Sequence, residues 1–114
     1  MVICPEYALL PEHTFPVALE QITEVYSALV DGDAVIDLGF EVNRIVVTGE
    51  SAGGNLAAAL CVKLGLQKLA VDQAMNELVE ESGDASDAMS TETVGEEPTR
   101  LPDAIMLCCA ALNL

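Results

Sequence analysis

Arg44-Ile45-Val46-Val47-Thr48-Gly49-Glu50-Ser51-Ala52-Gly53 reads as a strand that runs directly into a Gly-x-Ser-x-Gly turn. Ile45-Val46-Val47 is a short β-branched run, the signature of a buried parallel strand. After the turn, Leu56-Ala57-Ala58-Ala59-Leu60-Cys61-Val62 is a strong helix former, apolar nearly all round, with Lys63 and Lys68 near its far end. Such a helix belongs in the interior of a layered α/β protein. Between the two, a sharp strand-to-helix turn would hold Ser51 in a strained backbone conformation, and small flanking residues would keep side chains from colliding across it. This is the pattern of a nucleophile elbow. It lifts the serine hydroxyl above the sheet and points a helix N-terminus at any oxyanion formed there. The pentapeptide alone arises by chance in roughly 3% of chains this long. Its setting, strand before and helix after, is what makes it informative.

With 114 residues, the chain is expected to form one small domain. Hydrophobic residues make up 52% and aromatics 4%, with no tryptophan, so the expected core is aliphatic. Lys63 and Lys68 interrupt the longest apolar stretch well short of the about 20 residues a membrane span needs. Met1-Val2-Ile3-Cys4-Pro5 lacks the basic start of a secretory signal, which makes a soluble, cytoplasmic protein the expectation. The net charge of −15 disfavours nucleic acid as a partner, since its phosphates would be repelled. That charge is local: nine acidic residues and no basic one lie between Asp72 and Glu97. Cys4, Cys61, Cys108 and Cys109 have no Cys-x-x-Cys spacing and apolar neighbours, so buried free thiols are expected, with no metal site and no disulfide framework.

Along the chain, Met1-Val2-Ile3-Cys4 begins as a strand that Pro5 would end, and Tyr7 to Thr14 reads as a loop. An amphipathic helix is expected from Pro16 to about Val30, with Ala18, Leu19, Ile22, Val25, Tyr26 and Leu29 on one face. Asp31-Gly32-Asp33 ends or interrupts it, and Val35 to Leu38 leads into Gly39 as another stop. The helix after the elbow is expected to end near Gly65-Leu66, and Leu69 to Val79 reads as a second amphipathic stretch. Residues 80–99 are acidic, rich in Ser, Thr and Gly, and aperiodic, which reads as a solvated, disordered insert. Ala104-Ile105-Met106-Leu107-Cys108 is a second buried strand, so that two parallel strands would be joined through a helical crossover.

Three stretches together carry a resemblance. Tyr7-Ala8-Leu9-Leu10-Pro11-Glu12-His13-Thr14-Phe15-Pro16-Val17-Ala18-Leu19-Glu20 resembles the D-Y-R-L-A-P-E-H-P-F-P-A-A-L-E text of hormone-sensitive-lipase-like α/β-hydrolases. Gly49-Glu50-Ser51-Ala52-Gly53-Gly54-Asn55-Leu56-Ala57 is similar to their G-D/E-S-A-G-G-N-L-A elbow, and Cys109-Ala110-Ala111-Leu112-Asn113-Leu114 to their Y-P-A-L-N/D-L. Residues 1–114 would then be a partial α/β-hydrolase domain of α/β class, with parallel strands, crossover helices, a nucleophile elbow and the acidic insert at about 80–99. The resemblance implies an esterase or lipase acting on a small-molecule ester or lipid through an acyl-enzyme, with no metal or organic cofactor. Ser51 would be the nucleophile, and the Ala52 backbone N–H would form part of the oxyanion hole. Substrate details and oligomeric state are not readable from these motifs.

The resemblance also implies what this text lacks. The family's His-Gly-Gly-Gly loop lies upstream of its D-Y-R segment, and its acid and histidine follow the elbow in that order; neither is found here. Pro5 and Ala8 replace the strand former and arginine of the family pattern. His13 matches the family's noncatalytic Pro-Glu-His histidine, Asp103 reads as a turn residue at the far end of its strand, and Glu50 as a neighbour of the elbow rather than its base. The isolated chain is therefore expected to be inactive. The alternatives are a noncatalytic binding or regulatory module and a truncated remnant of the same fold.

Overall fold

A computed structural model describes residues 1–31, 39, 42–81 and 100–108. Four elements follow in order: α1 (Val17–Val30), β1 (Val46–Glu50), α2 (Ala52–Glu81) and β2 (Ala104–Cys108). The stripe read from the sequence after Pro16 forms α1. Pro16 stands at its N-cap, where a missing N–H costs no helical bond, and Glu20 in the first turn suits the positive end of the helix dipole. Asp31 closes the helix, its N–H donating to the Ser27 carbonyl at 2.8 Å.

β1 and β2 pair in parallel, with Val46 opposite Ala104 and each following residue in step as far as Glu50 opposite Cys108. The intervening α2 packs on both strands and on α1, so it forms the middle layer between sheet and outer helix. A parallel pair joined this way is the βαβ unit expected from the two apolar runs. Along β1, Val47 and Gly49 are partly buried while Val46, Thr48 and Glu50 are exposed, so one face of the strand is covered.

The core is Ile22 and Tyr26 from α1 against Leu60 and Leu64 from α2, with Tyr7, Leu19, Val30, Ile45, Val47 and Leu56 packed around them. Tyr26 is the polar member. Its hydroxyl donates to the Arg100 carbonyl at 2.9 Å, and burial pushes the phenol up to about 12 despite the opposing field of Arg100. A phenol with a folded value raised above its unfolded value of about 10 binds its proton more tightly when folded. Its contribution to stability is therefore whole below pH of about 10 and is lost as pH rises toward 12. Chemical denaturation at pH 9 and pH of about 11 should show a steeper alkaline loss for the native chain than for Tyr26→Phe. Equal losses would contradict this role.

Several expectations are corrected. Met1 to Cys4 forms no strand: among the described residues the two strands pair only with each other, and a segment without a ladder partner cannot be a strand. Gly65 does not end the helix. α2 runs unbroken for 30 residues, joining the two separately expected stretches. A mid-helix glycine costs only about 1 kcal/mol against alanine, and it is flanked by good helix formers and followed by the Lys68–Asp72 pair at 3.7 Å. Glu80 and Glu81, expected as the start of the acidic insert, belong to this helix, and residues 82–99 lie outside the described ones. The same holds for residues 32–38, which include Val35 to Leu38, and for Cys109 to Leu114.

Burial also differs from the sequence reading. α2 buries a stripe at Ala57, Leu60 and Leu64 but exposes Val62, Leu66 and Leu69. All five residues of β2 are exposed. Cys4 and Cys108 are exposed free thiols and Cys61 is half-buried, its thiol pushed up by that burial. The physical reason is one of coverage: among the described residues, α1, α2 and the two strands supply only one packed face to the sheet. Among the described residues, no helix is long and apolar enough to cross a membrane.

Candidate active site

One residue separates β1 from α2. Ser51 follows Glu50, the last residue of the strand, and precedes Ala52, the first of the helix. Its φ is 51°, the only left-handed backbone among the described residues other than glycine. For an L-residue this conformation costs about 1–2 kcal/mol and persists only where its surroundings hold it. Two backbone bonds do so. The Ser51 N–H donates to the Cys108 carbonyl at 3.1 Å, extending the β1–β2 ladder by one rung, and the Ser51 carbonyl accepts the Asn55 N–H at 3.1 Å, opening the helix. The same residue ends the sheet and begins α2.

The first glycine of the motif is required by space. A Cβ on Gly49 would lie 2.7 Å from the Gly54 nitrogen and overlap the Gly53 carbonyl. The backbone of α2 folds back onto the strand at this point. Gly53 differs, since a Cβ there would meet nothing within 4 Å. The expectation that small residues on both sides prevent collision therefore holds at Gly49 and not at Gly53.

Ser51 and Ala52 are both exposed at the C-terminal edge of the strands. As the first residue of a 30-residue helix, Ala52 has no intrahelical acceptor for its N–H, and the positive end of the helix dipole lies here. The arrangement can therefore present a hydroxyl and a backbone donor to one incoming carbonyl group. Cys108 reaches the same edge through its carbonyl.

The other candidates fall elsewhere. His13 is exposed in the turn before α1, where its backbone N–H donates to the Leu9 carbonyl at 3.1 Å. Asp103 precedes β2, at the opposite end from Cys108, roughly 17 Å along the strand at 3.3 Å per residue. Its carboxylate accepts the Ile45 N–H at 2.7 Å, and this bond, with Arg100 and Arg44 nearby, holds the group below its ordinary value. Among the described residues, no cluster of three or more His, Cys, Asp or Glu side chains could hold a metal ion. Sequence reading missed the partners of Arg100, the one cation between Lys68 and the end of the chain. That isolation in an acidic stretch was the available signal.

Comparison with known proteins agrees with this geometry. A family profile described as the alpha/beta hydrolase fold matches residues 1–112. The arylacetamide deacetylase of Oryctolagus cuniculus is 36% identical over 64 residues, covering 56% of this chain and 16% of that protein. An esterase of Acinetobacter venetianus is 39% identical over 66 residues, 58% of this chain and 20% of its own length. The carboxylic ester hydrolase LipN of Mycobacterium tuberculosis is 40% identical over 62 residues, 53% of this chain and 16% of its own. In each case the match spans no more than about a fifth of the relative. No solved structure matches at comparable significance. With a parallel βαβ unit, a left-handed serine between strand and helix, and a family match over nearly its whole length, this chain belongs to the α/β-hydrolase fold family, in its hormone-sensitive-lipase-like branch.

Proposed function

We propose that this chain carries the nucleophile segment of a carboxylic-ester hydrolase, with Ser51 as nucleophile and the Ala52 N–H as one oxyanion donor. The observation that carries the reading is the strained Ser51, φ 51°, at a single-residue junction between β1 and α2. Strain of this kind clusters at active sites, where it fixes a reacting group. The names of the relatives, deacetylase, esterase and carboxylic ester hydrolase, support an ester or acetyl group as the substrate class.

In the proposed reaction the Ser51 oxygen attacks the ester carbonyl, and its proton passes to a base. The carbonyl oxygen takes the negative charge toward the Ala52 N–H. The C–O bond to the alcohol then breaks, the alcohol leaves with the proton, and water releases the acid from the acyl-enzyme. A serine hydroxyl is a weak nucleophile without an adjacent base, and no histidine follows Ser51 in these 114 residues. The isolated chain is therefore proposed to be nearly inactive while keeping its nucleophile in place.

A fluorophosphonate probe tests the assignment. With imidazole supplied as an external base, slow modification of the purified chain should map to the Ser51 peptide and vanish in Ser51→Ala. Modification that maps elsewhere, or that persists in Ser51→Ala, would contradict it.

A further inference from the structure

Nothing in the apolar pattern of β2 fixes how it pairs with β1. Ala104, Ile105, Met106, Leu107 and Cys108 are apolar at every position and exposed on both faces. Parallel ladders have evenly spaced bonds, and register is strongly specified only where one face is buried and the other polar. A slip of two residues would keep every side chain on its face. It would also move the Cys108 carbonyl away from the Ser51 N–H.

One polar cluster breaks this degeneracy, at the opposite end of the strand pair. The Asp103 carboxylate accepts the Ile45 N–H at 2.7 Å, while the Asp103 N–H donates to the Ile45 carbonyl at 2.9 Å. Arg100 donates to the Val42 carbonyl at 3.2 Å, to the Asn43 carbonyl, and to the Asp103 carboxylate at 3.3 Å. Tyr26, in the core, holds the Arg100 carbonyl. The two side chains thus grip three positions before β1, Val42, Asn43 and Ile45, from the segment leading into β2. The bonds that join this segment to Val42, Asn43 and Ile45 do not survive a slip.

From this geometry we propose that Arg100 and Asp103 are positioning residues for the nucleophile. They set the β1–β2 register, and through five paired positions they place the Cys108 carbonyl where it accepts the Ser51 N–H. Without that bond, one of the two constraints on the left-handed serine is gone. The functional consequence rests on the reading of Ser51 as nucleophile. The register claim does not.

Amide hydrogen exchange on the full chain separates register from general stability. In Asp103→Ala and in Arg100→Met, exchange at the Ser51 N–H should accelerate about tenfold or more, while Leu60 and Leu64 in α2 stay within about twofold of the native chain. Asp103→Asn keeps an oxygen that can accept the Ile45 N–H and should restore much of the protection at Ser51. Unchanged exchange at Ser51 would overturn the proposal. So would a uniform loss across α1, α2 and Ser51 in both variants, since that is the signature of a residue that merely stabilises the fold. Failure of the covalent labelling of Ser51 would leave this exchange pattern untouched, so the two readings fail separately.

Discussion

The purified 114-residue chain is expected to hydrolyse p-nitrophenyl acetate at least about 10⁴-fold more slowly than a serine esterase with a complete triad. The expectation follows from the state of the proposed nucleophile. At neutral pH the Ser51 hydroxyl keeps its proton, and the attacking species must lose it to a base held within hydrogen-bond reach. His13 lies in the turn before α1, and Asp103 sits at the far end of β2. Members of a triad act as a unit, so losing one costs nearly as much as losing all. Ser51→Ala should consequently change the measured rate by less than about twofold. A drop of tenfold or more in Ser51→Ala would show that the chain supplies its own base and would overturn this part of the proposal.

Gly49→Ala should be far more damaging to the elbow than Gly53→Ala. Overpacking usually costs about 1–3 kcal/mol because side chains yield. Here the new Cβ meets backbone, at 2.7 Å from the Gly54 nitrogen and against the Gly53 carbonyl. Relief would require the first turn of α2 to lift off β1, breaking the junction at Ser51. A loss of at least about 3 kcal/mol is expected, a large part of the whole stability of a small domain. Gly53→Ala is the matched control, since open space surrounds that position. Thermal melts of the two variants should diverge sharply. Similar melting would mean that β1 and α2 do not approach as described.

Much of the fold was legible because its signals are local. Ile45-Val46-Val47, the Gly-x-Ser-x-Gly turn and Ala104 to Cys108 each announce their own structure, and β1 and β2 form there in parallel. The stripe of α1 was legible for the same reason, with Ile22 and Tyr26 buried as its period requires. The ends of elements were harder. Gly65 reads as a stop by propensity, yet the helix formers around it outweigh about 1 kcal/mol of glycine cost. Met1 to Cys4 has the composition of a strand but lacks a ladder partner among the described residues.

Within the candidate site, the placement of Ser51 and Ala52 between strand and helix could be read from the motif because that turn is a contiguous piece of chain. The asymmetry between Gly49 and Gly53 could not, since it depends on how closely α2 returns over β1. The partners of Arg100 and Asp103 were not readable for a related reason: Asp103 bonds to a residue 58 positions away. No pattern in a single sequence encodes such a pairing. Exposure of β2 was equally unreadable, because an apolar run signals a buried strand only where something covers it.

The backbone of Ser51 in solution is the most direct test of whether this chain builds an elbow on its own. A solution structure by NMR should find Ser51 with positive φ, near 51°, its N–H protected by the Cys108 carbonyl and Ala52 starting the helix. A negative φ at Ser51, with an unprotected N–H, would contradict the claim and would mean that these residues do not make a nucleophile elbow by themselves.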